Sequence, residues 1–365
     1  MNLRHILVFA LLFLLSQNVY SDSSWSNFDG WVKDNDVFGP DNDDRNYTFG
    51  IAAYWNDEKA KNVPIYWIPK WLKEAVKGKH SEIKVDHFYQ LGITNFTPDD
   101  IGTAEIVFDD RPYSSLIFSQ SDFNSIQRIS ESTSLSKGAS VTVGILGTHA
   151  GEFLQNSWHK ILRKSSDSDT PVNVEGWNNQ INNGFTPTLK FSLSKVFAKY
   201  NVFDFIDVAV DGSLDIGYYT MASVGFVAKL NIFQSNRTYY PHQIIRLTTS
   251  MGAANRLFDT KVTATDEFFI FFGARKVYVG HNALMECQFK SGEHCLNKSQ
   301  LEDNFTEMVL GAKTKVSTLF KFVGLNRLGK NYGYLSYSIH RRGAEHKLSR
   351  KRTHFWGSLN YEKKF

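Results

Sequence analysis

The sequence predicts an all-β protein, a twelve-stranded antiparallel transmembrane β-barrel with a short helix in its third extracellular loop. Three observations predict it. Apolar and polar residues alternate with period two along most of the chain, a secretory leader stands at the N-terminus, and the last segment is an amphipathic strand ending on Phe365.

The alternation is clearest in four places. Between Ser81 and Gly92, and on to Ile93, residues Ile83, Val85, Tyr89, Leu91 and Ile93 share one face, and Glu82, Lys84, Asp86 and Gln90 the other. Between Arg45 and Trp55, residues Tyr47, Phe49, Ile51, Ala53 and Trp55 face one way and Thr48, Gly50 and Ala52 the other. The even positions of Tyr218–Ile232 are mostly apolar, and Phe355, Gly357, Leu359, Tyr361 and Phe365 oppose His354, Ser358, Asn360, Glu362 and Lys364. Period two over such lengths marks strands. A soluble sandwich alternates too, so the barrel reading rests on the leader and the terminal aromatic. A final strand of this form resembles the signal read by the machinery that assembles bacterial outer-membrane barrels.

Twelve strands are expected near 27–36, 46–57, 82–96, 112–127, 136–148, 186–200, 203–212, 217–232, 264–281, 305–325, 331–341 and 353–365. An even count puts both termini in the periplasm. The outward connections are then 37–45, 97–111, 149–185, 213–216, 282–304 and 342–352. Two periplasmic connections are long. Residues 58–80 mix Ile65, Trp67, Ile68, Trp71 and Leu72 with Lys70, Lys73 and Lys77, which suits either a helix in the membrane interface or one capping the barrel mouth. The other, 234–262, carries no interpretable pattern.

The leader is Arg4 and His5 followed by the apolar run Ile6–Leu15 and a cut after Val19-Tyr20-Ser21. Ten apolar residues are too few to span a bilayer core. Residues 1–21 are therefore expected to be a signal peptide and 22–365 the outer-membrane barrel domain, integral to the outer membrane of a bacterium.

Composition excludes other classes. Forty-one Lys+Arg against 37 Asp+Glu give a net charge of +4, without the basic excess of a nucleic-acid binder. Two Cys are too few for a disulfide scaffold or a Cys-based zinc module. Cys287 and Cys295 read as a clip within the fifth outward loop. The chain holds no G-x-S-x-G, no H-E-x-x-H and no phosphate-cradling Gly loop.

Several segments carry potential chemistry. The outward ends of strands 1 and 2 read Lys33-Asp34-Asn35-Asp36 and Asp41-Asn42-Asp43-Asp44-Arg45-Asn46-Tyr47-Thr48, a density of hard oxygen donors open to calcium or to simple solvation. Gly151–Lys164 reads as a helix with Leu154, Trp158, Ile161 and Leu162 on an apolar face fit to lie against acyl chains. Gln155 and His159, four apart, share an adjoining face, and an imidazole titrates near neutrality as a general base must. Asp109-Asp110-Arg111-Pro112-Tyr113 reads by itself as a turn held by a carboxylate–guanidinium pair. Gly176-Trp177-Asn178-Asn179-Gln180 closes the third loop. The last outward loop holds Arg341, Arg342, Lys347, Arg350, Lys351 and Arg352, a cluster suited to the phosphates of lipopolysaccharide.

In this order the motifs resemble the LpxR-type lipid A 3′-O-deacylases, calcium-dependent twelve-stranded outer-membrane barrels. The motif-bearing likeness spans about residues 30–185. It implies hydrolysis of the ester that holds the 3′ acyloxyacyl chain on lipid A, in the outer leaflet and facing the cell exterior. It assigns His159 as the base that activates water and Asp36, with Asn35, as calcium ligands. Thr48 joins the catalytic set, and Arg111, Gln155, Arg350 and Arg352 are expected against the substrate. Two positions depart from the family pattern. The loop Thr97–Arg111 lacks the Lys expected before Asp-Arg-Pro, leaving Arg111 or a cation from elsewhere to substitute, and Val37 stands where a second Asp can occur. The competing readings are a non-enzymatic barrel, pore or scaffold, and a different outer-membrane lipid hydrolase.

Overall fold

A computed structural model describes residues 28–40, 46–77, 83–163, 174–203, 205–234, 267–289, 294–322, 333–348 and 353–362. The leader, Arg350, Arg352 and Phe365 lie outside the described residues.

Twelve strands close into one antiparallel barrel, each pairing with its sequence neighbours and β1 with β12. They are β1 (Gly30–Asn35), β2 (Asn46–Asn56), β3 (Ile83–Thr97), β4 (Ser114–Ser130), β5 (Thr133–Leu146), β6 (Thr186–Val202), β7 (Ile206–Gly217), β8 (Tyr219–Gln234), β9 (Glu267–Asn282), β10 (Asn304–Lys315), β11 (Tyr334–Arg342) and β12 (His354–Glu362). Closure runs from Gly30 opposite Glu362 to Asn35 opposite Gly357, so no edge is left unpaired. All twelve expected strands form. Two expectations need correction. Residues 316–322 continue as a helix, in keeping with the i, i+3, i+4 spacing of Val316, Leu319 and Phe320. β7 also runs through 213–216 to Gly217, which leaves only a tight turn there; Gly217 adopts φ 142° and Thr220 Oγ1 both accepts from its N–H and donates to its carbonyl.

The pleat sorts side chains as the alternation required. Ile51, Leu91, Val143, Leu189, Phe226 and Leu310 form an exposed belt on the outer wall. A belt this extensive is unfavourable in water and matches the apolar band of a membrane barrel. The lumen is filled. Tyr54, Phe88, Phe96, Phe118, Tyr219, Phe305 and Trp356 belong to one buried cluster, and the Trp356 ring stacks between His340 and His354 at 5.0 and 5.2 Å. Charged groups inside are paired: Arg275 and Arg342 both bind Glu307, at 2.6 and 2.7 Å, and Lys190 faces Asp215 at 3.4 Å. Among the described residues the lumen thus carries aromatic side chains and paired charges.

Among the described residues five helices decorate the barrel: α1 (Asp57–Lys61), α2 (Lys70–Val76), α3 (Ala150–Arg163), α4 (Ala283–Glu286) and α5 (Val316–Phe322). Asn282 caps α4 by accepting from the Leu284 N–H at 3.0 Å. Cys287 and Cys295 are joined by a disulfide within that outward loop.

Candidate active site on the outer wall

The expected residues Asn35, Asp36 and Thr48 stand at the facing ends of β1 and β2, and Gln155 and His159 on α3, which crosses the outer wall beside them. The wall contributes first. Asn35 ends β1 opposite Phe49, Phe49 lies opposite Asn95, and Asn95 opposite Ser115, so one row crosses four strands on the outer face.

Simple alternation would turn Thr48 toward the lumen. The structure corrects this. Tyr47 pairs with Phe96 and Phe49 with Asn95, leaving Thr48 as the extra residue of a β-bulge. Tyr47 therefore turns inward, packing on Phe96 and Trp356 and donating its hydroxyl to Asp34 at 2.7 Å. Thr48 turns outward and meets the Thr97 hydroxyl at 2.7 Å. The Asn35 amide donates to the Thr48 carbonyl at 3.1 Å, locking β1 to the bulge. Asp36 follows at once in a 3-10 turn and is buried.

The helix contributes second. α3 forms where expected, and the face it turns to the wall is polar. Gly151, Gln155 and His159 are its buried stripe, at i, i+4 and i+8, whereas Leu154 and Trp158 are only half-buried and Phe153 is 71% exposed. A helix that buries its polar stripe and exposes a Phe inverts the usual amphipathic arrangement. Gly151 permits the approach: a Cβ there would stand 2.5 Å from Asn95 Oδ1 and 2.8 Å from both Ser115 Oγ and the Trp177 ring. Seven residues on, the Lys33 ammonium of β1 sits 3.1 Å from the centroid of the Trp158 ring, with Phe38 and Phe49 within 6 Å. Helical rise carries the axis about 10 Å between those contacts, two inter-strand spacings, so α3 bridges from β3–β4 across β2 to β1. His159 adjoins Trp158 on the buried side and is 7% exposed.

Gln155 is committed to this bridge. Its Oε1 accepts from Trp177 Nε1 at 3.1 Å, and Trp177 packs on Tyr113 at 5.0 Å. Asn156 Oδ1 accepts from the Val174 N–H at 2.8 Å. The Gly-Trp-x-x-Gln segment is thus a buttress for α3.

Arg111 stands apart from this group. It is 1% exposed, points into the barrel, lies 4.1 Å from the centroid of Phe96 and pairs with Glu345 at 3.5 Å, which also binds Arg342 at 3.2 Å. Burial draws its guanidinium down to about 10, with Glu345 opposing and Arg342 adding to the fall. Asp110 beside it accepts from the Asp99 and Arg111 N–H groups, both at 2.7 Å, while burial pushes its carboxyl up. The carboxylate–guanidinium pair that the Asp-Arg-Pro segment suggested by itself is present, with Glu345 of the last outward loop as the partner.

Sequence reasoning missed Lys33. Its signal was legible: a Lys on the wall-facing side of β1, two residues before Asn35, has no solvated surroundings unless something covers it. The bulge carried no such signal.

The oxygen donors on these strand ends are a carboxylate (Asp36), an amide (Asn35) and a hydroxyl (Thr48), with the amide of Asn95 two strands along the row. Both amide atoms of buried Asn95 lack a hydrogen-bond partner. Among the described residues no three His, Cys, Asp or Glu come together. An oxygen-only set with one carboxylate fits a hard cation whose remaining positions are filled by water.

Fold and site together define a closed membrane-type barrel with a side-chain-filled lumen and a buried polar site between its outer wall and a loop helix. The comparisons agree. The family described as outer membrane protein LpxR matches residues 6–365, and the chain belongs to it. The solved structure of LpxR from Salmonella typhimurium superposes with a TM-score of 0.62 at 14% identity, covering 91% of this chain and 99% of that one. CdiB from Acinetobacter baumannii aligns with a TM-score of only 0.28 at 10% identity, over 86% of this chain and 50% of that one, too low to inform the fold. No curated protein sequence matches.

Proposed function

We propose that this protein is a calcium-dependent esterase of the outer membrane that removes the 3′-linked acyloxyacyl chain from lipid A. The observation that carries the reading is the buried Gly151–Gln155–His159 stripe of a helix laid on the outer wall, with Gly151 against Asn95 and Ser115 and the neighbouring Trp158 over Lys33 of β1, the strand that ends on Asn35. A scaffold has no reason to bury a histidine and a glutamine where apolar residues would pack better. No serine is placed beside the histidine by a motif, which favours water over a covalent nucleophile. The location suits a lipid substrate, because the outer wall is the surface that acyl chains reach.

In this mechanism His159 takes a proton from water as its oxygen bonds to the ester carbonyl carbon. The acyl C–O bond then breaks, and the departing 3′ oxygen recovers the proton from the imidazolium. Asn35 and Thr48 offer donors toward the developing oxyanion. Asp36 and Asn35 would hold the calcium ion, which when bound supplies Lewis-acid polarisation of the carbonyl. Trp158 and Lys33 orient the helix end that carries His159, and Gln155 fixes it through Trp177. Arg350 and Arg352 of the last outward loop would meet the lipid A phosphates, and the exposed Phe153 an acyl chain.

The test is mass spectrometry of lipid A from a host with fully acylated lipid A, expressing wild type or His159→Ala with calcium present. The expected result is loss of the 3′ acyloxyacyl mass with wild type alone, a difference of about 10²-fold or more. Equal lipid A profiles at confirmed outer-membrane levels would sink the proposal.

A further inference from the structure

The connection between β2 and β3 leaves the barrel at the end opposite the site and folds back over the outer wall. Ile68, Leu72 and Val76 bury against Phe123, Ala139 and Val141. The Trp67 N–H donates to Ser121 Oγ at 3.1 Å, and the Tyr66 hydroxyl meets His87 Nδ1 at 2.7 Å. The Trp71 ring lies 5.8 Å from Phe191. These wall residues share the face of the exposed belt: Val141 is opposite Phe191, and Val143 and Leu189, one step along, are open. The segment therefore lies beside the barrel and does not cover its mouth.

Its other face has no cover from the described residues. Ile65, Trp67 and Trp71 are 56%, 55% and 59% exposed, continuous with the belt. Lys61, Lys70, Lys73 and Lys77 line the same segment against a single Glu74, and Lys70 is almost fully exposed. Indole rings above lysines, at the lower edge of an apolar belt, match the boundary between acyl chains and headgroups.

We propose that residues 63–77 form a lipid-docking platform that seats anionic phospholipid of the leaflet opposite the site, with Trp67 and Trp71 among the upper acyl chains and Lys70, Lys73 and Lys77 on the headgroup. The platform rests on family membership and barrel geometry, independent of the ester chemistry, so its test does not use lipid A turnover. Lysine charge complements the phosphodiester, and the continuity of the indoles with the belt points to lipid over a protein partner.

The experiment places the full chain in nanodiscs of phosphatidylethanolamine, alone or mixed with phosphatidylglycerol, with bromine at a shallow or a deep acyl position. The fluorescence lost in the Trp67→Phe/Trp71→Phe variant should be quenched several-fold more by the shallow bromines. Native mass spectrometry should show preferential phosphatidylglycerol retention that falls to the phosphatidylethanolamine level in Lys70→Gln/Lys73→Gln/Lys77→Gln. Indoles quenched by aqueous iodide and untouched by bromine would overturn the platform. Shallow quenching with phosphatidylglycerol retention unchanged in the lysine variant would overturn the anionic-headgroup assignment. Heat-modifiable migration on gels checks that each variant retains its barrel.

Discussion

The Lys33 ammonium and the Trp158 ring join β1 to the helix that carries His159, at 3.1 Å from nitrogen to ring centroid. A partly desolvated cation–π contact of this kind contributes about 1–2 kcal/mol. Lys33→Ala should loosen this end of α3 and lower kcat about tenfold, with the barrel intact. Lys33→Arg keeps a cation over the indole and should recover most of the activity. Time courses of lipid A deacylation compare the two; equal loss in both would remove Trp158 from the argument.

Gly151 allows the helix to touch the wall. Gly151→Val should force α3 away from Asn95 and Ser115. Misplacement of catalytic groups by about 1 Å costs roughly 10²-fold. Activity should fall by that order while heat-modifiability of the barrel stays at the wild-type value. Activity retained in Gly151→Val would show that close contact at this point is unnecessary.

Calcium dependence should appear as loss of deacylation on chelation and recovery on adding calcium back. Asp36→Asn removes the site's carboxylate and should raise the calcium needed for half-maximal activity by about tenfold or more, since affinity follows ligand charge. Magnesium should substitute poorly, because it demands tighter octahedral geometry. A calcium titration of wild type and Asp36→Asn, followed by the released acyl product, measures both, and superposed curves would remove Asp36 from the ion site.

Arg111→Ala should act on stability more than on substrate. It takes a charge-assisted partner from buried Glu345, a loss of about 2 kcal/mol. Thermal unfolding in detergent should show a lowered transition, with KM close to wild type. A raised KM with unchanged unfolding would restore Arg111 to the substrate.

The strands were legible because the wall has one apolar side and one filled side, so each strand had to alternate to satisfy both. Residues 316–322 were absorbed into the tenth strand although Val316, Leu319 and Phe320 fall at helical spacing, because the strand before them alternates and no turn residue separates the two. The placement of Asn35 and Asp36 at the end of β1 and of Gln155 and His159 on a loop helix was legible in the sequence. The outward turn of Thr48 was not, because a bulge is set by register between strands and leaves no mark on composition. That the wall-facing stripe of α3 is Gly151, Gln155 and His159 was only half legible, because the sequence shows which residues share a face and not what each face meets. The ion-paired reading of Arg111 was legible in its motif, but the partner was not, since Glu345 lies more than two hundred residues away.

The position of the site on the outer wall changes how an encounter is counted. A catalyst fed from bulk water samples a volume, and its rate follows concentration in solution. In the proposed reaction arrivals would come sideways through a sheet one molecule thick, so the governing quantities would be the surface density of lipid A and its lateral mobility. Any condition that crosslinks neighbouring headgroups through divalent ions slows that supply, even as the same ions fill the site. Turnover should therefore pass through a maximum as calcium rises.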